Sequence, residues 1–100
     1  MIVSVAGVEL YLQLDAENRE LLVYGAGDAL VALLFYPSPA HLWRSRFITQ
    51  GRIFDVEVSG ASGRILCTTD DAIHERRFAL ADIVDELRSS SGPRPTQEEA

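Results

Sequence analysis

The sequence predicts an α+β domain: an antiparallel sheet of about five or six strands in two hairpin-rich halves, with a short helix after Tyr36 and a C-terminal amphipathic helix packed on the sheet. Three observations predict it. Val8, Leu10, Leu12 and Leu14 alternate with Glu9, Tyr11, Gln13 and Asp15, the period-two pattern of a half-buried strand. Phe54, Val56 and Val58 alternate with Asp55 and Glu57, and the Ser59-Gly-Ala-Ser-Gly63 loop leads to a returning strand, Arg64 to Thr69. Leu80, Ile83, Val84 and Leu87 recur at i, i+3, i+4 and i+7 between Phe78 and Arg88, one apolar stripe on a helix. Asp82, Asp85, Glu86 and Arg88 take the opposite side. A sheet with one apolar face needs a cover, and this helix is the natural candidate.

In chain order, Ile2, Val3 and Val5 either extend the first strand backwards or form a short strand ending at Gly7. The polar run Asp15–Glu20 reads as a hairpin connection, with Leu21 to Tyr24 returning. Gly25-Ala-Gly-Asp28 reads as a turn into Ala29–Tyr36. That last run is apolar on every side. Periodicity alone does not separate a central strand from a buried helix there, and its length and hairpin-like neighbours favour a strand. Gly25-Ala-Gly-Asp28, followed by Ala29, also resembles the GAGD motif of ribokinase-type sugar kinases. That resemblance would make Asp28 a catalytic base and the following helix start a holder of phosphate oxygens. In those much longer chains the motif follows the sugar-binding part, whereas here only 24 residues precede it, so the turn is the reading adopted.

Ser38 followed by Pro39 has the form of a helix N-cap with proline in the first turn. It predicts a short helix from Pro39 to Arg46 that turns Leu42 and Trp43 inward. Asp70–Arg77 fits either a turn and a short strand from Ile73 to Phe78 or the start of one long helix. Phe78 falls out of phase with the apolar stripe, which favours the strand. Residues 1–88 are therefore expected to form a single globular domain, and 89–100, which carry no apolar side chain worth burying, a disordered polar tail.

The 100 residues carry a formal charge of −6, with Lys+Arg 9 against Asp+Glu 15. Such a balance argues against nucleic-acid binding and against anchoring on anionic membranes, since both need a basic surface. It suits attraction of a basic protein partner. All basic residues are arginine, so neither a lysine Schiff base nor a lysine general base is available. The start of the chain has neither the basic residues nor the long apolar region of a secretory signal, which makes the cytoplasm the default location. Cys67 is the single cysteine; no internal disulfide or thiolate cluster can form, and in a strand it reads as a small buried hydrophobe.

Chemistry-bearing residues are few. Asp70, Asp71, His74 and Glu75 are the nearest approach to a metal-ligand group, but no second element shows ligand spacing, and they read as a solvated loop and cap. Cys67 with His74 could act as nucleophile and base, yet no third, orienting group stands out. No phosphate-binding loop, nucleophile elbow or zinc-protease motif occurs. Neither a catalytic residue, a metal nor a cofactor is assigned. The sequence is best read as a small acidic, non-catalytic protein-binding module, of inhibitor or immunity type, for a basic protein partner. Trp43 and Arg44 are candidate interface anchors, and Asp70, Asp71, Glu75, Asp82, Asp85 and Glu86 are candidates for a negative binding face. The alternative is a β-rich domain that self-associates, for example as a homodimer, or binds a small ligand.

Overall fold

The computed structural model describes residues 1–38 and 40–83, and among these the chain is almost entirely β. The first four strands, β1 (Ile2–Val5), β2 (Val8–Asp15), β3 (Glu20–Tyr24) and β4 (Leu30–Phe35), form one antiparallel sheet in the order of the chain. The next four, β5 (Leu42–Thr49), β6 (Arg52–Ser59), β7 (Ser62–Thr68) and β8 (Ile73–Ala79), form a second sheet of the same plan. The α+β expectation is thus corrected to two four-stranded meanders. Among the described residues each sheet is covered by the other, with only the helical turn at 80–83 added to the core.

Turn chemistry fixes both meanders. Ala6 (φ 53°) with Gly7 (φ 79°), and Gln50 (φ 52°) with Gly51 (φ 73°), are two-residue connections in which both residues carry positive φ. This is the twist that a tight antiparallel hairpin demands. The polar run after β2 closes on itself: Asp15 accepts hydrogen bonds from the Asn18 backbone N–H at 3.1 Å and from Asn18 Nδ2 at 2.8 Å. Gly25–Ala29 is a turn, closed by a 2.8 Å bond from Gly25 N–H to the Ala29 carbonyl, with a short 3₁₀ segment over Ala26–Asp28. Asp28 is therefore a turn residue (φ 60°) and begins no α-helix. Ala29–Tyr36 resolves to strand.

The short helix expected after Tyr36 is also absent. Ser38 Oγ accepts the Ala40 N–H at 3.3 Å, a side-chain turn that uses the same serine acceptor a helix cap would. The chain then extends into β5. That strand hid because its faces are chemically mixed. Trp43, Ser45, Phe47 and Thr49 turn inward, while Leu42, Arg44, Arg46 and Ile48 are exposed, so no clean apolar alternation marks it. Ile73–Ala79 is strand, as the phase of Phe78 indicated.

One core joins the two layers. From the first sheet come the rows Leu12–Val23–Ala32 and Leu14–Leu21–Leu34, set opposite one another by register. From the second come Phe47, Phe54, Val56, Val58, Ile65, Cys67 and Phe78. Phe47 and Phe54 stack with centroids 5.2 Å apart, a contact that adds about 1 kcal/mol to simple burial. The sheets meet at two seams, β4 beside β5 and β1 beside β7 and β8. Arg52 Nη1 donates to the Ala6 carbonyl at 2.7 Å, tying the β5–β6 turn to the β1–β2 turn. Residues 80–83 begin a helix, with Leu80 and Ile83 in the core. Val84, Leu87 and the expected tail at 89–100 lie outside the described residues.

Candidate functional site

Alternation along each strand leaves two outer faces, and their chemistry is opposite. On the first sheet the register lines up Ile2, Tyr11, Tyr24 and Leu30 in one row, and Gln13, Leu22 and Leu33 in the next. Phe35 closes the third row after Asp15 and Glu20. Ile2 is 62% exposed, Leu30 53%, Leu33 49% and Phe35 56%. Tyr11 and Tyr24, with ring centroids 6.3 Å apart, fill the space between. An apolar expanse on an outer face is uncommon in a monomeric protein and marks an interaction surface.

The margins of this face are acidic. Glu9 and Asp28 border the same depression as Ile2 and Tyr11. At the other end Asp15 and Glu20 are direct cross-strand partners, with Glu17 in the adjoining turn. Like charges placed opposite each other cost stability. The Asp15 carboxyl is held below the usual carboxylate range by the side-chain hydrogen bond from Asn18 and, next, by the Asn18 backbone N–H.

The second sheet presents charge in place of apolar surface. Arg44, Glu57, Arg64 and Arg77 form one row across β5, β6, β7 and β8; Arg46, Asp55, Leu66 and Glu75 form the next. Glu57 is only 5% exposed. It accepts from Arg44 Nε at 3.0 Å and from Arg64 Nε at 2.8 Å, so its two oxygens are each matched to a cation. Arg46 forks onto Asp55 with bonds of 3.0 and 3.4 Å. Glu75 accepts from Arg64 Nη1 at 3.2 Å and Arg77 Nε at 2.9 Å.

The residues singled out in the sequence fall in several places. Arg44 and Glu75 share this outer face. Trp43 lies on the other side of β5, half-buried against the core, with its Nε1 donating to the Ser38 carbonyl at 2.6 Å and His41 packed edge-on at 5.8 Å. Asp70 and Asp71 are exposed in the β7–β8 turn, which the Thr69 N–H closes onto the Ala72 carbonyl at 2.9 Å. Asp82 is exposed at the start of the final helical segment. Asp85 and Glu86 lie outside the described residues. Cys67 and His74 are direct register partners on β7 and β8, but the thiol is buried among core side chains. His74 meets the Thr69 hydroxyl at 3.5 Å.

Sequence reasoning missed the apolar face, although one signal was present: Ala29–Tyr36 is apolar on every side, so whichever way it turned, apolar groups would be left outside. Glu57 was missed because only the register shows that two arginines bracket it. Among the described residues no three His, Cys, Asp or Glu side chains gather as metal ligands, and no helix is long and apolar enough to cross a membrane. Compared with protein-family models, curated proteins and solved structures, the chain matches none.

Proposed function

We propose that the protein is a small non-catalytic binding module that docks a basic protein partner through the outer face of its first sheet. The observation that carries this reading is the exposed set Ile2, Leu30, Leu33 and Phe35, backed by Tyr11, Leu22 and Tyr24 and bordered by acids. An apolar centre that sheds water inside a polar rim is how protein interfaces are built. The Asp15–Glu20 pair supports a basic partner in particular, since a cation placed between them would relieve their repulsion. Steering by the net charge of −6 would speed the encounter. Action in the cytoplasm, as an inhibitor or immunity-type protein, fits a lone buried thiol without a disulfide.

The test compares the wild type with the double variant Leu33→Asp and Phe35→Asp as bait in the native host. Leu33 and Phe35 are about half exposed, and circular dichroism with a thermal melt checks that the variant is folded. A basic protein retained by the wild type, released at high salt and lost from the double variant is the expected outcome. Equal recovery by both proteins overturns the reading. A concentration-dependent dimer in sedimentation that the double variant abolishes would replace it with the homo-oligomeric alternative.

A further inference from the structure

We propose that the outer face of the second sheet binds carboxylates between Arg64 and Arg77, and that its ligand is an acidic peptide segment. The site is independent of the one on the first sheet. Arg64 and Arg77 are direct cross-strand partners, which brings their Cβ atoms to about 5 Å. Two cations at that spacing repel, and carboxylates beside them offset that repulsion. Glu75 serves both guanidinium groups, and Glu57, shared with Arg44, serves Arg64 as well, so three arginines share two carboxylates.

The donors left over face solvent and are accessible to a ligand. Arg64 spends Nε on Glu57 and Nη1 on Glu75, and Arg77 spends Nε on Glu75. Arg64 Nη2, both Nη atoms of Arg77 and both of Arg44 have no hydrogen-bond partner among the described residues. The buried Glu57 anchors Arg44 and Arg64 by their Nε atoms, which fixes the planes of both guanidinium groups before any ligand arrives. A planar fork held in this way matches a carboxylate. Arg64 and Arg77 also line a depression of about 270 Å³ with Leu42, Ser59, Ser62 and Glu57; Glu57 is already paired with Arg44 and Arg64, and Leu42 and the Ser59 hydroxyl complete the wall.

The row from Arg44 to Arg77 crosses four strands, about 14 Å at the usual interstrand spacing. A single small anion cannot span it, whereas a peptide with several carboxylates laid across the strands can. Arg44, Arg46, Arg64 and Arg77 outnumber Asp55, Glu57 and Glu75 on this face, in a chain whose overall charge is −6. General anion attraction is therefore opposed by the rest of the molecule, and binding here would be local.

Titration calorimetry of the full chain with a hexaglutamate peptide, and separately with inorganic phosphate, tests the assignment. Hexaglutamate should bind at about 0.15 M salt, where a Debye length of about 8 Å screens the distant acids while the arginine contacts persist. Arg77→Ala, which leaves the Glu57 anchor intact, should weaken it about tenfold through loss of charge-assisted bonds. Phe35→Asp should leave it unchanged, so failure here and failure of the first-sheet reading are distinguishable. No heat with hexaglutamate at about 0.15 M salt, equal binding by Arg77→Ala, or binding of phosphate alone overturns the proposal. So does self-association abolished by Arg77→Ala, which would make the occupant a second copy of the chain.

Discussion

Glu75 shows how much a single side chain on this surface is asked to do. It is shared by Arg64 and Arg77, and the hydrogen bond from Arg64, followed by the field and hydrogen bond of Arg77, holds its carboxyl below the usual range. A carboxyl whose folded pKa is depressed contributes stability that is present above its unfolded value and lost as pH falls through the folded one. Asp15 is depressed in the same direction by Asn18. The urea midpoint of the wild type should therefore fall as pH drops below about 4, the ordinary carboxylate range. The pair Glu75→Gln and Asp15→Asn should show a shallower fall over the same interval. An identical slope would mean that these hydrogen bonds do not persist in solution. Glu57 differs from both because it is buried. Glu57→Gln keeps the shape but not the charge, and should lower unfolding free energy by about 1.5–3 kcal/mol in urea titration, the size of a hydrogen bond to a charged group.

At the scale of elements, what matters is how closely two strands can approach. On β7 the inward positions are Gly63, Ile65 and Cys67, opposite Phe78, Arg76 and His74 on β8. A Cβ at Gly63 would stand 2.5 Å from the Phe78 ring and 2.9 Å from the Glu57 carbonyl oxygen. Glycine is present there because the Phe78 ring occupies the space a side chain would need. Gly63→Ala should cost about 1–3 kcal/mol, the usual penalty of overpacking, read as a lower Tm; an unchanged Tm would show that Phe78 has another rotamer at little cost. The same scale explains which elements were legible in the sequence. β2 and β6 present apolar side chains on one side and polar ones on the other, so their period shows. β5 and β8 do not: β5 exposes Leu42 and Ile48 and turns Ser45 and Thr49 inward, and β8 carries four charged or imidazole side chains in a row from His74 to Arg77. A serine before a proline marks a turn as readily as a helix start, so the Ser38-Pro39 pair alone does not separate a helix over 39–46 from the turn that leads into β5.

For the whole molecule, the decisive fact is that each sheet is the other's cover. A core shared by two layers opens only if the layers separate. The Cys67 thiol, buried within it, should then react with an aromatic disulfide reagent only on global unfolding. Its rate should follow the unfolding rate across urea concentrations; a fast, urea-independent reaction would mean that the β7–β8 edge opens by itself. The outer surfaces follow from the same arrangement. Once the inner faces of β1–β4 are committed to the core, Leu30, Leu33 and Phe35 have nowhere to go but outward. Likewise the inward Phe54, Val56 and Val58 leave Asp55 and Glu57 to meet the arginines of β5 and β7.

By itself the sequence determined the strands whose alternation is clean, the hairpin turns that glycine allows, the burial of Cys67 and the acidic balance. These are local or compositional properties, carried by neighbouring residues along the chain. Only the tertiary structure decided that, among the described residues, a second sheet closes the core. It alone set Arg64 opposite Arg77, Asp15 opposite Glu20, and two arginines around Glu57. Such juxtapositions depend on register between separate strands, and a period of two specifies which side a residue takes without specifying its partner across the ladder.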